Sequence, residues 1–551
     1  MEIVRHAAEQ IPELKQRFGF NAVTLLPPAA HNAISGGSEI TEADFEEALR
    51  VFRANGFRII LYSSIMHCGH DPVWQDGTLT RTHPEWSQRG PEGEPITIYG
   101  HEWLCPSTGA LDFTIAYTRN LVRRFQPDAV LLDNNEFYAT PSGISCYCDG
   151  CQRKFREYLT RRFGKTVLGQ PTRSIRIPKT KGPLYNVWLS CRNRIWAEAT
   201  EKFRLELRRA KPGISLTANT QYLFSSNSLA TDRQYEHEDA VLSETTGIGL
   251  DDLVNKLLLG KALAKDRPLW NYLGTFQTVD INRLQTPEVV STNVSATVAL
   301  LARPWVVYYG FLENREINRS SLERMAAVLS WHCRKDPEKL GLNPYAPVLS
   351  LASLNSFNFQ GRPLIPPHLA RLRRLGICSR IIEERDLTPK TLASCRALLI
   401  EEASCLAEPS IRRILSFVSS GGILFARTDA GGSDEIGRQR TRSALWKRLG
   451  VGAKPDGTVR FGGGTAIPFD GAFPVALARE RLAFARFTVA PETDPLILPY
   501  QDRKGGFFVY VCSERPLPAT LKIRAPGNGG GQAVVCSPDL SEPWIIPLTL
   551  P

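Results

Sequence analysis

The sequence predicts an α/β chain: a (β/α)8 TIM barrel over residues 1–342, a flavodoxin-like α/β domain over 343–440 and a small C-terminal β-sandwich domain over 441–551. Three observations carry this. Short apolar runs alternate with longer amphipathic ones up to about residue 340, as βα units wound around a parallel sheet require. Beyond Asn343 shorter strand and helix runs follow, and the Gly421-Gly422 pair closes a helix before a strand, the punctuation of a doubly wound sheet. From about Ala444 the chain turns to Gly, Pro and brief β-prone runs such as FFVYVC, ATLKIRA, QAVVCS and WIIPL.

In order, strands are expected at Asn21–Leu26, Arg58–Ile65, Asp128–Asp133, Ile214–Asn219, Asp239–Glu244, Pro268–Leu273 and Pro304–Leu312. An eighth, weak strand is expected between Met66 and Pro106 to complete the barrel. Between the first two strands, TEADFEEALRVFRANG reads as a helix with Thr41 as N-cap and Gly56 as its stop. In the second domain APVLSLASL, PPHLARLRRLGICSRII, RALLIEEASCL, SIRRILSFVSSGG and ILFARTD supply alternating strands and helices.

Composition excludes several classes. With 551 residues the chain holds about three or four folding units. Its 42% apolar and 22% charged content rules out a disordered or fibrous protein. Lys and Arg outnumber Asp and Glu by 67 to 56, but the excess is spread through helices such as RLELRRAK, so no nucleic-acid partner is expected. No apolar run is long enough to cross a membrane, and the first residues read as an amphipathic helix rather than a signal peptide, so a cytoplasmic chain without a membrane partner is expected.

In a βα barrel the residues that close each strand face the shared cleft, so acids there are the first to weigh. Asp133 closes DAVLLD and is followed by Asn134, Asn135 and Glu136; Glu244 closes DAVLSE, and Glu313 follows PWVVYYGFL. Paired carboxyl groups are the minimum equipment for hydrolysing a glycosidic bond, one giving a proton and the other attacking or activating water. A carbohydrate partner also suits the aromatic residues Trp74, Trp86, Tyr99, Trp103, Phe137 and Tyr138, whose rings could stack on sugar faces, with Trp270 in PLWNYL and His67 as further substrate contacts.

Three of the twelve cysteines, Cys146, Cys148 and Cys151, fall in one short loop, with Cys105 of WLCPST as a natural fourth. Four thiolates suit a closed, tetrahedral structural zinc that staples two loops and leaves no open catalytic position. No organic cofactor is expected.

Together WLCPSTGALDFTIAYTRNLVRRF, LLDNNEFY and CYCDGCQRKFREYLTRRFG resemble the acid/base region of family 42 glycoside hydrolases, the β-galactosidases with a trimerisation domain. The resemblance covers residues 99 to 164. It implies that Glu136 of the Asn135-Glu136 pair is the general acid/base of a retaining enzyme, that Cys105, Cys146, Cys148 and Cys151 bind zinc, and that RALLIEEASCLAEPSIRRILSFVSSGGILFA belongs to a domain that assembles a homo-oligomer, a trimer. The family's nucleophile closes the seventh strand, which here is RPLWNYLGTFQ and carries no acid. A second scheme follows from the broader group of α-retaining barrel enzymes, the α-L-fucosidases and α-galactosidases: with the weak strand counted, Asp133 closes the fourth strand as nucleophile and Glu244 the sixth as acid/base. A carbohydrate-binding barrel without turnover is the third possibility.

Overall fold

The structure, a computed structural model, describes residues 15–16, 19–28, 40–63, 66, 79–98, 101–133, 136–140, 143–219, 234–245, 249–274, 276–277, 280–307, 326, 329–330, 340–450, 457–490, 496–504, 506–512, 520–526, 532–536 and 544–548. They fall into two compact units, Met1–Glu244 with Asp266–Pro268, and Thr245–Lys265 with Leu269–Pro551.

The first unit is built from βα repeats: β1 (Ala22–Leu25), α1 (Glu42–Ala54), β2 (Arg58–Ser63), α2 (Ala110–Phe125), β3 (Ala129–Asp133), α3 (Asp149–Phe163), α4 (Pro183–Ala210), β4 (Ser215–Asn219) and β5 (Val241–Glu244). Strands β1, β2, β3 and β4 form a parallel sheet in that order. β5 runs beside β4, where the Asp239 N–H donates to the Leu216 carbonyl at 2.7 Å. As the sequence requires, α1 is capped by Thr41, whose hydroxyl accepts from the Asp44 N–H while the Asp44 carboxylate accepts from the Thr41 N–H. Its Phe45, Leu49 and Phe52 recur at helical spacing and pack with Ile115, Val122 and Phe125 of α2 against Ile59, Leu61, Val130 and Leu132 of the sheet. Each large side chain buried there contributes about 1.5–3 kcal/mol.

The weak strand expected between Met66 and Pro106 is not in this sheet. β2 pairs directly with β3, Ile60 opposite Ala129 and Ser63 opposite Leu132, and β1 takes its other edge, so no backbone groups remain for an inserted strand. The described residues of that stretch hold a short helix, Leu79–Thr82, a two-stranded pair, Thr97–Ile98 with His101–Glu102, and a Ser87–Leu104 bridge. The strand closed by Asp133 is therefore third in the described row and that closed by Glu244 fifth, not fourth and sixth.

In the second unit α5 (Leu250–Ala264) precedes β6 (Leu269–Gly274), which pairs in parallel with β7 (Arg303–Val307) across α6 (Pro287–Ala299). A six-stranded doubly wound sheet follows: β8 (Val348–Ala352), β9 (Ser379–Glu383), β10 (Ala397–Ile400), α7 (Glu408–Ser419), β11 (Ile423–Arg427), β12 (Val459–Phe461) and β13 (Gly464–Phe469), in the order β9-β8-β10-β11-β13-β12. All its pairings are parallel except the last. The sheet runs past residue 440 because Ala466, Ile467 and Phe469 of β13 are buried, as a strand covered on both faces must be. Gly464 permits this: a Cβ there would lie 2.0 Å from the Val418 carbonyl of α7. Two antiparallel sheets, one built on Leu496–Gln501, Phe507–Cys512 and Trp544–Leu548 and one on Thr488–Ala490, Thr520–Arg524 and Gln532–Cys536, make up the β-rich remainder. Among the described residues no helix is long and apolar enough to cross a membrane.

Candidate active site and metal centre

The carboxyl ends of β2 to β5 carry a row of polar side chains. Asp133, 7% exposed, closes β3, and the Tyr62 hydroxyl of β2 donates to its Oδ2. Asn219 closes β4 in register with Asp133, and its Nδ2 donates to Glu244 Oε2 at 3.2 Å. Glu244, half-buried, closes β5. Asn219 thus lies on the strand between those closed by Asp133 and Glu244.

Glu136 lies three residues beyond Asp133 and is 2% exposed. Its backbone is fixed by Gln88, a wholly buried amide that the sequence did not single out. Gln88 Nε2 donates to the carbonyls of Glu136 at 2.9 Å and Leu104 at 3.1 Å, while its Oε1 accepts from the Tyr138 N–H at 3.2 Å and the Ser145 hydroxyl at 2.6 Å. One side chain thus ties the loop after β3 to the loop before α2.

The aromatic residues divide by burial. Trp103 is 0% exposed and packs against the half-buried Tyr138, ring centroids 5.0 Å apart. Its ring faces the protein interior, not the sugar-facing surface expected of it, which leaves Tyr138 the more exposed ring of the pair. Trp86 stacks on His83 at 3.9 Å, and Phe137 packs on Trp196. Trp270 lies half-buried on β6 in the second unit; its neighbour Asn271 is wholly buried between Thr245, which donates to it, and Thr297, which accepts from it, both at 2.9 Å. His67, Trp74, Tyr99, Asn134, Asn135 and Glu313 lie outside the described residues.

The four expected cysteines do converge. The Sγ atoms of Cys105, Cys146, Cys148 and Cys151, all buried and none in a disulfide, lie within 4.8 Å of one another. Cys105 Sγ is 3.4 Å from Cys151 Sγ and 3.5 Å from Cys148 Sγ. A tetrahedral site with zinc–sulfur bonds of about 2.3 Å needs sulfurs about 3.8 Å apart, so the cluster fits a small divalent metal. Backbone N–H groups of Arg89, Ser107, Cys148 and Cys151 donate to the sulfurs at 3.2 to 3.5 Å. Cys148 caps the N-terminus of α3, where the helix dipole favours thiolate. Burial pushes the Cys105 and Cys151 thiols up, whereas hydrogen bonds from the neighbouring cysteines hold Cys148 low. The two loops can close because residue 150 is glycine: a Cβ there would lie 2.3 Å from the Ser107 carbonyl.

Parallel βα repeats with acids at the carboxyl ends of successive strands define an α/β chain of TIM-barrel type. Residues 38–170, which span β2, the acid-bearing end of β3 and the cysteine cluster, match the sequence model of the family described as beta-galactosidase, glycoside hydrolase family 42, so over that stretch the chain is family 42-like. Solved structures with the same fold include the beta-galactosidase from Bacillus circulans sp. alkalophilus (TM-score 0.76, 12% identity, covering 100% of this chain and 97% of that one). Gan42B, a GH42 beta-galactosidase from G. stearothermophilus, matches with TM-score 0.74 and 14% identity over 98% of this chain and 95% of that one. The alpha-L-fucosidase isoenzyme 2 from Paenibacillus thiaminolyticus matches with TM-score 0.64 and 12% identity over 94% of this chain and 89% of that one. No curated protein matches by sequence.

Proposed function

We propose that the chain is a retaining glycoside hydrolase of β-galactosidase type that cleaves a terminal sugar with two carboxyl groups. The carrying observation is Glu136, a buried carboxyl just beyond a strand end, inside the segment that matches family 42 and beside the Asp133–Asn219–Glu244 row. In this reading Glu136 gives its proton to the leaving-group oxygen and later takes one from water. Because β6 carries no acid, Glu244 is assigned the attack on the anomeric carbon, forming a glycosyl ester that water then hydrolyses. Asp133, held by Tyr62, accepts sugar hydroxyls. Glu136→Ala with azide should yield a glycosyl azide of retained configuration and Glu244→Ala one of inverted configuration. Full activity in Glu136→Gln would remove the assignment.

The α-retaining scheme, with Asp133 as nucleophile and Glu244 as acid/base, is the alternative assignment of the same strand ends. It counted the two strands as fourth and sixth, where the described row has them third and fifth, and the configuration of the azide products from Asp133→Ala and Glu244→Ala tests it. The reading as a carbohydrate-binding barrel draws on β6, which carries no acid and whose Asn271 is buried and hydrogen-bonded. A panel of nitrophenyl glycosides separates the two: turnover supports the hydrolase, binding without turnover the relic.

The cysteine cluster is assigned a structural zinc, held by Cys105, Cys146, Cys148 and Cys151. Its place is architectural: it would clamp the loop before α2 to the start of α3, with no open position for substrate. The doubly wound sheet is assigned to assembly, a trimer by resemblance, which light scattering on the purified chain would test.

A further inference from the structure

Asn219 closes β4 and is 5% exposed. The sheet decides which way it points. Leu216 and Ala218 of β4, Val130 and Leu132 of β3, and Ile59 and Leu61 of β2 pack with α1, α2 and α4 in one core. Side chains alternate along a strand, so Asn219, Asp133 and Tyr62 belong to the opposite face, turned away from those helices. There Asn219 stands in register with Asp133, and its Nδ2 donates to Glu244 Oε2 at 3.2 Å.

A carboxylate only accepts hydrogen bonds, so Glu244 is met by the NH2 end of the amide, and that contact turns Oδ1 away from it. Oδ1 is buried and, among the described residues, meets no donor. A buried amide oxygen left without a hydrogen bond is costly, and folded proteins leave few of them. Here the deficit lies at the carboxyl end of a parallel βα sheet, where such folds bind their ligands, on the strand between two carboxyl groups already assigned to the reaction.

The neighbours say what kind of group would meet it. Tyr62 uses its hydroxyl hydrogen on Asp133, and β3, β4 and β5 close on an acid, an amide and an acid, none on a base. This wall is built of acceptors. It calls for uncharged donors, which the hydroxyl groups of a neutral sugar supply, whereas a carboxylate or sulfate substituent would be repelled. We infer that Asn219 is a specificity-determining residue: its Oδ1 accepts a hydrogen bond from one hydroxyl of the terminal sugar, so the site selects neutral sugars that carry that hydroxyl. This rests on reading the chain as a two-carboxylate glycoside hydrolase.

The test crosses substrate and enzyme changes. The nitrophenyl glycoside that the parent turns over fastest, and its versions with one hydroxyl replaced by hydrogen or by fluorine, are given to the parent, to Asn219→Ala and to Asn219→Leu, which keeps the bulk of the side chain without its oxygen. Fluorine accepts but cannot donate, so both replacements remove the same hydrogen bond. At one ring position either replacement should lower kcat/KM of the parent about 10- to 100-fold more than that of the variants, as when a buried acceptor is left unpaired. The intrinsic effect of the replacement on reactivity is common to all three enzymes and cancels. Equal losses in parent and variants at every position overturn the inference. So does a parent that hydrolyses a nitrophenyl glucuronide or a sulfated nitrophenyl galactoside as fast as its best neutral substrate. If neither variant folds, the parent decides: it must lose rate to hydrogen and fluorine alike at one position and reject the anionic substrates. A parent that turns over no glycoside refutes the hydrolase reading instead, which keeps the two failures apart.

Discussion

Gln88→Ala is the sharpest test of how Glu136 is held. The side chain makes four hydrogen bonds inside the protein, giving to the carbonyls of Leu104 and Glu136 and accepting from the Tyr138 N–H and the Ser145 hydroxyl. Truncation leaves all four partners without it. At about 1 kcal/mol for each lost bond the cost is about 4 kcal/mol, a large share of the roughly 5 to 15 kcal/mol that stabilises a typical domain. The loss is local, because the Gln88 backbone keeps its own bonds to Trp103 and Ile96. The chain should therefore fold, with the loop after β3 loosened. A shift of about 1 Å in a catalytic group can cost about 100-fold, so kcat on a nitrophenyl β-galactoside should fall by that order while KM changes little. Gln88→Glu sharpens the comparison, since it keeps the acceptor for Tyr138 and Ser145 but loses the donor to the two carbonyls. Urea unfolding and steady-state kinetics read both effects. An alanine variant within 1 kcal/mol of the parent and unchanged in kcat would refute the idea that this amide positions Glu136.

Other perturbations read other parts of the molecule. Glu384 is buried, and desolvation raises its carboxyl from 4.5 to about 7 despite the hydrogen bond it accepts from the Ala407 N–H at 2.7 Å. Since the folded state holds this proton more tightly than the unfolded chain, its contribution is fully present below about pH 4.5 and is lost as pH rises through about 7. Glu384→Gln should remove that loss, of order 3 kcal/mol, and gain stability relative to the parent at pH 8 in parallel urea titrations; equal pH slopes would count against it. Chelation should lower the melting temperature, and mild acid should release the metal, because each cysteine must lose its proton to bind; a chelator-indifferent melt would refute the structural zinc. Trp103→Ala should cost about 3 to 5 kcal/mol as a core truncation, whereas Tyr138→Ala should raise KM with a smaller effect on stability; the reverse pattern would restore Trp103 as the sugar platform.

What the sequence disclosed and what it withheld divide along the range of the interactions involved. The parallel strands were legible because a strand buried on both faces reads as an unbroken apolar run, and AVLLD and ALLI have that form. The capped helix α1 and the acids closing β3 and β5 were legible for the same local reason, as was the cysteine loop, where three ligands share one turn of chain. The missing barrel strand was not, because whether β2 meets β3 directly is settled by pairing across almost seventy residues, to which no run of residues testifies. Trp103 misled because an aromatic side chain in a loop reads alike whether it faces solvent or a Tyr138 reached through the fold. Gln88 lies deepest in this blind spot. It is a lone polar residue without periodicity, and the partners that give it meaning stand more than forty residues away, Glu136 and Ser145. Burial turns such residues into constraints: a polar group inside the protein must be matched, so a wholly buried amide or guanidinium marks what the surrounding loops are built to hold. Here Gln88 reaches both Glu136 and Ser145, the residue before Cys146, so the proposed acid and the loop of the proposed metal site are held by one side chain.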